Sequence, residues 1–384
     1  MLNKKYLMVP GPTPVPERVL NAMNVPMINH RGVAYEGLFK SVVQDLKKVF
    51  NTQADILLYP AAGTGAMEAS IVNLFSAGDK VLVVSIGVFG DRLAEIATSY
   101  GLDVEKLSFE PGQAIAAEKL AMRLQADINK EIKGILLTHN ETSTGVTNDI
   151  ENVIKVCGQH PALKVVDAVS ALGAIPMQMD KWGIDVVFTG SQKALMIPPG
   201  VGLVAFGARA WAAYAQSTLP KYYWDAQKVK KSLEKWQNPY TPPVSLIFGL
   251  RESLNMIFEE GLENIAKRHE LLAKAVRAAV KALGLELLAD ESVSSSVVTA
   301  IKAPANVSAK DIQKHLREVY GITVAGGQKT LEGKIFRIGH LGYASMADVF
   351  VVISMLEMTL QTLGVAVNLG AGVKAAQEVF LQAQ

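Results

Sequence analysis

Residues 164–170 read Lys-Val-Val-Asp-Ala-Val-Ser, and residues 185–195 read Asp-Val-Val-Phe-Thr-Gly-Ser-Gln-Lys-Ala-Leu. In each, a short apolar run stops abruptly at polar side chains, Asp167 in the first and Thr189 to Lys193 in the second. Unbroken apolar runs of this length suit strands buried on both faces, as in a parallel sheet. Similar runs occur at Ile56–Tyr59, Val81–Ser85, Gly134–His139 and Gly202–Phe206, bounded by Gly, Asp, Asn or Pro. Helical stretches at Ala66–Leu74, Phe89–Tyr100 and Ile150–Gln159 lie between them. Such alternation predicts a doubly wound α/β layer with right-handed crossovers.

The pattern changes after about residue 220. Tyr222 to Tyr240 shows little periodicity and reads as a long loop. Thr241-Pro242-Pro243 precedes a long helical segment, Val244 to Leu283, with a break expected at Gly261. A strand at Val297–Ile301, a helix at Ala309–Val319, strands at Ile322–Val324 and Lys334–Ile338, and a helix at Ser345–Leu363 make a smaller α+β unit. The chain divides into an N-terminal arm (1–15), a large α/β domain (16–260) and a small α+β domain (261–384). The Pro-rich arm cannot continue a helix or a central strand and is expected over the surface or in a cleft.

Composition removes several classes. The 38 Lys and Arg among 384 residues nearly balance 36 Asp and Glu, for a net charge of +2. No general attraction to nucleic acid or to an anionic membrane is expected. The single cysteine, Cys157, excludes an internal disulfide framework and points to a reducing compartment. Prolines come too early in the opening segment for an apolar signal region. The longest uncharged apolar runs, such as Ala194–Ala208, contain Pro or Gly and fall short of the roughly 20 residues a membrane span needs. A cytoplasmic enzyme is the expectation.

In a parallel α/β sheet the ligand lies beyond the carboxyl ends of the strands, so the strand-to-helix turns hold the chemistry. The first is Pro60-Ala61-Ala62-Gly63-Thr64-Gly65, where a helix starts at once. Free N–H groups and the helix dipole make an anion site there, although the same residues serve a plain tight turn. No Lys follows the second Gly, so this is not a P-loop. In the second, Phe89 sits between Gly87 and Gly90 and either stacks on a planar ligand or fills the core. The third, His139 to Gly145, is a dense polar cluster. In the fourth, Asp167 ends an apolar strand, where an unpaired carboxylate would cost several kcal/mol unless it caps a helix or meets a donor. In the fifth, Lys193 follows a buried strand. A lysine between apolar walls has its ammonium form disfavoured, which frees the amine to form Schiff bases with aldehydes. A surface lysine is the alternative. Arg337, inside the apolar run Ile335–Ile338, needs an acid, either a substrate carboxylate or an internal partner.

Each turn alone is ambiguous. Together they supply a Schiff-base lysine, an acid for a pyridinium nitrogen, a phosphate cradle and a stacking aromatic, the requirements of pyridoxal 5'-phosphate (PLP). The carboxylate keeps the ring nitrogen protonated, so the ring can stabilise a substrate carbanion. Lys193 can then move a proton as a general acid–base, worth roughly 10²–10⁴-fold.

These residues sit in longer segments: PGPTPVP at 10–16, AGTGAMEA at 62–69, HNETSTGV at 139–146, VDAVSALG at 166–173, TGSQKAL at 189–195, LRESL at 250–254 and FRIGHLG at 336–342. With them the chain resembles class V, fold-type I PLP-dependent aminotransferases of the alanine/serine–glyoxylate (serine–pyruvate) branch, over nearly its whole length. The resemblance implies a mostly parallel seven-stranded sheet flanked by helices plus a smaller C-terminal domain. It assigns Lys193 as the Schiff-base lysine and Asp167 as the pyridinium partner. Phe89 and Val169 would pack on opposite ring faces, and Thr142 would bond the phenolic oxygen. Gly63, Thr64 and Gln192 would hold the phosphate, and Arg337 the substrate carboxylate. Thr241 matches a position that reaches the neighbouring subunit's phosphate, so a homodimer with shared active sites is implied. Phe89 replaces a frequent Trp, Thr64 stands where some members have His, and Asn238 occupies a place where Tyr often contacts the neighbour's phosphate.

A cysteine desulfurase would need a mobile nucleophilic cysteine, and Cys157 lies in a helical stretch. The six histidines, His30, His139, His160, His269, His315 and His340, show no zinc-type spacing, so no metal is expected. A non-catalytic subunit that keeps the fold would be marked by loss of Lys193 or Asp167, and both are present. The expected activity is ping-pong transfer of an amino group from a small amino acid (alanine or serine) to a small 2-oxo acid (glyoxylate or pyruvate).

Overall fold

A sheet of seven strands gathers five turns at the carboxyl ends of its parallel strands, and those after β2 and β3 lead straight into helices. The computed structural model describes residues 4–383. In chain order its strands are β1 (Tyr6–Met8), β2 (Asp55–Tyr59), β3 (Lys80–Ser85), β4 (Asp103–Ser108), β5 (Ile132–Thr138), β6 (Asn140–Glu141), β7 (Val146–Thr147), β8 (Leu163–Asp167), β9 (Val186–Gly190), β10 (Gly202–Phe206), β11 (Val298–Lys302), β12 (Ile322–Gly326) and β13 (Ile335–Gly339). The large sheet has the order β2-β10-β9-β8-β5-β3-β4. The neighbours β9, β8, β5, β3 and β4 run parallel. Strand β10 is antiparallel to both β9 and β2, so β2 shares the direction of the others.

The apolar runs are explained by helices on both faces. Alternate residues of one strand enter different layers, as the strand's two-residue period requires. Leu136, Val165, Val186, Phe188 and Val204 join the layer built with Ala66, Ile71 and Leu93. Ile135, Leu137, Val166, Val187 and Leu203 join the opposite layer with Phe39, Leu46, Ile150 and Leu254. The small sheet, in the order β1-β12-β13-β11, packs on the helices Leu262–Ala282, Ala309–Tyr320 and Met346–Thr362 through a third core.

The predicted strands Val186–Gly190 and Gly202–Phe206 are found at those bounds, and the long helix does break at Gly261, which has φ +85°. One expectation needs correction, and one strand went unread. The segment Tyr222–Tyr240 contains a helix, Ala226–Leu233, capped by Asp225, whose Oδ1 accepts from Gln227 and Lys228 N–H. Its outward face carries lysines, so its apolar signal is weak. Strand β4 has exposed and half-buried residues because it lies at the sheet edge, and no apolar run betrays it.

The arm does two things. Tyr6–Met8 adds an edge strand to the small sheet, paired parallel with Ile322–Val324. Residues 9–13 then cross to the turn beyond β9 of the large sheet. A Cβ at Gly339 would overlap the Val9 backbone, so the arm lies directly on β13. Thr13 fixes the crossing: its N–H donates to the Gln192 carbonyl at 3.1 Å and its hydroxyl to the Lys193 carbonyl at 2.9 Å.

Phe188 is fully buried on β9. Phe188→Ala should therefore lower the unfolding free energy by about 3–5 kcal/mol, read as a shift in the urea midpoint. A shift below about 1 kcal/mol would contradict the core assignment.

Candidate active site

The carboxyl ends of β2, β3, β5, β8 and β9 open on the same edge, and their turns bring Gly63, Phe89, Thr142, Asp167 and Lys193 to it. Lys193, only 8% exposed, lies three residues beyond β9. Its Nζ donates to the Pro10 carbonyl at 2.6 Å, and a Cβ at Gly11 would overlap that nitrogen. Burial pulls its pKa down to about 8, Arg337 adds to the fall, and Asp167 opposes it. The neutral amine is therefore the majority form above about pH 8 rather than above 10.5.

Asp167, 3% exposed, is the last residue of β8. Burial raises its pKa to about 7. The Val169 N–H, donating to Oδ1 at 2.8 Å, opposes the rise, and the Glu141 carboxylate adds to it. Among the described residues no donor meets Oδ2.

Arg337, 5% exposed on β13, links the small sheet to the polar turn beyond β5 of the large one. Its Nε donates to the Gly326 carbonyl at 2.9 Å and its Nη1 to the Thr142 carbonyl at 2.8 Å. No carboxylate lies within salt-bridge distance of it among the described residues, so the internal ion pair that the sequence left open is not formed. Burial lowers its pKa to about 10, with Glu141 opposing. It remains a cation at neutral pH.

Beside this cluster the helix Gly63–Leu74 starts without a side-chain cap and without an acid in its first turn. Val169 packs against Gly63: a Cβ there would come within 2.9 Å of Val169 Cγ2. The Gln192 Oε1 is buried and has no donor. Arg92 stands over the Phe89 ring, 4.9 Å from its centroid, and its Nη1 donates to Thr64 Oγ1 at 3.4 Å.

The family model described as "Aminotransferase class-V" matches residues 5–350. The chain belongs to the class-V aminotransferases. Among relatives it is 46% identical to the "Soluble hydrogenase 42 kDa subunit" of Anabaena cylindrica, over 99% of this chain and 100% of that one. It is 42% identical to a serine–glyoxylate aminotransferase of Methylorubrum extorquens, over 97% and 95% of the two chains. The crystal structure of the ureidoglycine–glyoxylate aminotransferase of Bacillus subtilis superposes with a TM-score of 0.94 at 29% identity, covering 99% of each chain.

Class-V membership implies PLP, and the unsatisfied groups of this aminotransferase fit it. An uncapped helix N-terminus and an orphaned amide suit a phosphate, since turning the Gln192 amide by 180° presents its N–H₂ in place of the oxygen. A buried carboxylate with one oxygen free suits a ring nitrogen that carries a proton.

Four contributors to this aminotransferase's site were not recognised in the sequence. Glu141, fully buried, accepts at Oε2 from Phe89 and Gly90 N–H (3.0 and 3.2 Å), and at Oε1 from Ser143. It caps the helix Val88–Ser99 from outside and so fixes Phe89. A Cβ at Gly87 would come within 2.7 Å of Glu141 Cδ, which explains that glycine. Ser170 ties Thr142 to Asn140 through bonds of 2.7 and 2.9 Å. Pro10 contributes a backbone carbonyl, which no residue pattern announces. Arg92, one turn past Phe89, was legible as a cation beside a helix start.

Thr241 is exposed, and no hydrogen bond ties it to the Lys193 cluster among the described residues. Asn238 is buried, its Oδ1 accepting from the Tyr35 hydroxyl at 2.6 Å. His340 is buried and neutral, its Nε2 paired with Thr299 Oγ1 at 2.9 Å and its pKa lowered by burial to about 3. Cys157 donates to the Val153 carbonyl at 3.2 Å, and burial raises its thiol pKa to about 11, the reverse of a poised nucleophile.

Amine labelling of Lys193, resolved by peptide mass spectrometry in protein freed of bound aldehyde, should rise with a midpoint near pH 8. Asp167→Asn removes a nearby negative charge and should move the midpoint down. Arg337→Gln removes a positive charge and should move it up. A midpoint above pH 10 in the wild-type protein would contradict the geometry.

Proposed function

We propose that this aminotransferase transfers an amino group from a small amino acid, alanine or serine, to a small 2-oxo acid, glyoxylate or pyruvate, in two half-reactions. The observation that carries the reading is the buried pair of Lys193 and Asp167 beneath Arg337, a cation with no carboxylate of its own. Relatives named serine–glyoxylate and alanine–glyoxylate aminotransferases support the substrate class.

Gly63, Thr64 and Gln192 would hold the phosphate of PLP. Phe89 and Val169 would flank its ring, Thr142 its phenolic oxygen and Asp167 its ring nitrogen, with Lys193 as the attachment point. PLP, when bound, supplies an electron-withdrawing ring that takes up the electron pair left as the substrate α-carbon loses its proton. Arg337 would bind the substrate carboxylate with its planar fork and so orient the α-carbon. Lys193, with a pKa near the working pH, would take the α-proton and return it one carbon away. Asp167 would hold the proton on the ring nitrogen. The arm, lying against Lys193, would help to exclude water from it.

A second copy of the chain would complete the site. Arg31 donates to the Asn238 and Pro239 carbonyls at 2.5 and 3.1 Å, which places segment 25–33 against the loop that carries Thr241. Val33 and Met27 in that segment are 84% and 67% exposed. Apolar side chains left that open suit a homodimer interface. No helix among the described residues is long and apolar enough to cross a membrane. The balanced charge and lone thiol favour a cytoplasmic enzyme without nucleic-acid partners.

The test is a half-reaction screen in which single amino acids are mixed with the PLP-loaded protein and the visible absorbance is followed. Alanine or serine should bleach it, and glyoxylate or pyruvate should restore it. Lys193→Ala should lose the response and turnover by at least about 10²–10⁴-fold. Arg337→Lys should raise KM for carboxylate substrates more than it lowers kcat. Normal turnover in Lys193→Ala would sink the assignment.

A further inference from the structure

We propose that Lys329 is a positioning residue that straps the substrate-clamp side of the small domain to the helix beside the cofactor site. This rests on the reading of Arg337 as the carboxylate clamp.

Lys329 lies in the connection between β12 and β13, three residues after Gly326, whose carbonyl holds Arg337 Nε. Its Nζ reaches across the cleft to the helix Val88–Ser99, 2.9 Å from Glu95 Oε1 and 3.8 Å from Asp91 Oδ2. That helix carries Phe89 and Arg92. Asp91 and Glu95 are one turn apart, so both carboxylates face the same lysine. Asp91, the more distant of the two carboxylates, is itself held by Ser85 Oγ and Lys106 Nζ, each at 2.8 Å, while Glu95 makes the close contact.

The backbone supports a dedicated role. Lys329 has φ +49°, the left-handed region that costs a non-glycine residue on the order of 1 kcal/mol. Gly327 is required beside it, because a Cβ there would overlap the Leu331 carbonyl. The connection is thus a tight turn that spends conformational strain to aim a lysine across the cleft. Arg337 touches both domains, through Gly326 and Thr142. Its fork therefore depends on how the domains are set, and Lys329 fixes that setting from the open side.

An exposed pair is worth little, so the expected effect is small and specific. Lys329→Gln should raise KM for L-serine and for glyoxylate about two- to fivefold, with kcat little changed. Raising the ionic strength should erase the difference from wild type, because the pair is screened. Glu95→Gln should behave alike, and the double variant should be no worse than either single variant. Hydrogen exchange of residues 327–334 should quicken in Lys329→Gln. An unchanged KM, an equal fall in kcat, or additive losses would overturn the proposal. If the wild-type protein fails to transfer amino groups, the functional reading fails instead. The strap is then judged by hydrogen exchange alone, and unchanged exchange would overturn it.

Discussion

One buried electrostatic arrangement organises this molecule: an amine and a carboxylate withdrawn from water at the ends of adjacent parallel strands. Burial drives the two pKa values toward each other, Lys193 down to about 8 and Asp167 up to about 7. Neither charge would be tolerable in so dry a place without the other nearby and without groups that hold both. The Pro10 carbonyl takes the amine, and the Val169 N–H takes the carboxylate. The core layers on both faces of the sheet keep the strand ends rigid, so the two groups cannot relax apart.

The same constraint explains the outer parts. Helix Val88–Ser99 cannot drift while Glu141 caps it from the neighbouring turn. The small sheet is tied to the large one while Arg337 is bonded to the Gly326 and Thr142 carbonyls. An arginine held by two neutral carbonyls and no acid is an incomplete contact, and on the proposed reading a substrate carboxylate would complete it. The arm closes the remaining side and lies too near Lys193 to tolerate any side chain at residue 11.

Much of this was legible in sequence because two-sided burial leaves unbroken apolar runs, and because Asp167 and Lys193 interrupt such runs abruptly. The central strands and the break at Gly261 follow directly. The edge strand β4 and the helix Ala226–Leu233 were missed because solvent-facing residues dilute the apolar signal. The roles of Pro10 and Gly326, and the hold of the Thr142 carbonyl on Arg337, were illegible for another reason: they act through backbone carbonyls, and a carbonyl carries no residue identity. Glu141 was visible only as part of a polar turn, since its partners are N–H groups some 50 residues earlier in the chain.

The proposal that Lys193 is the Schiff-base amine rests on its burial beside Asp167 and Arg337 and on its pKa of about 8. Incubation with pyridoxal phosphate, reduction with borohydride and peptide mass mapping test it most directly. A single pyridoxyl adduct is expected, on the peptide containing Lys193, and none in Lys193→Ala. An adduct on another lysine with Lys193 unmodified would contradict it.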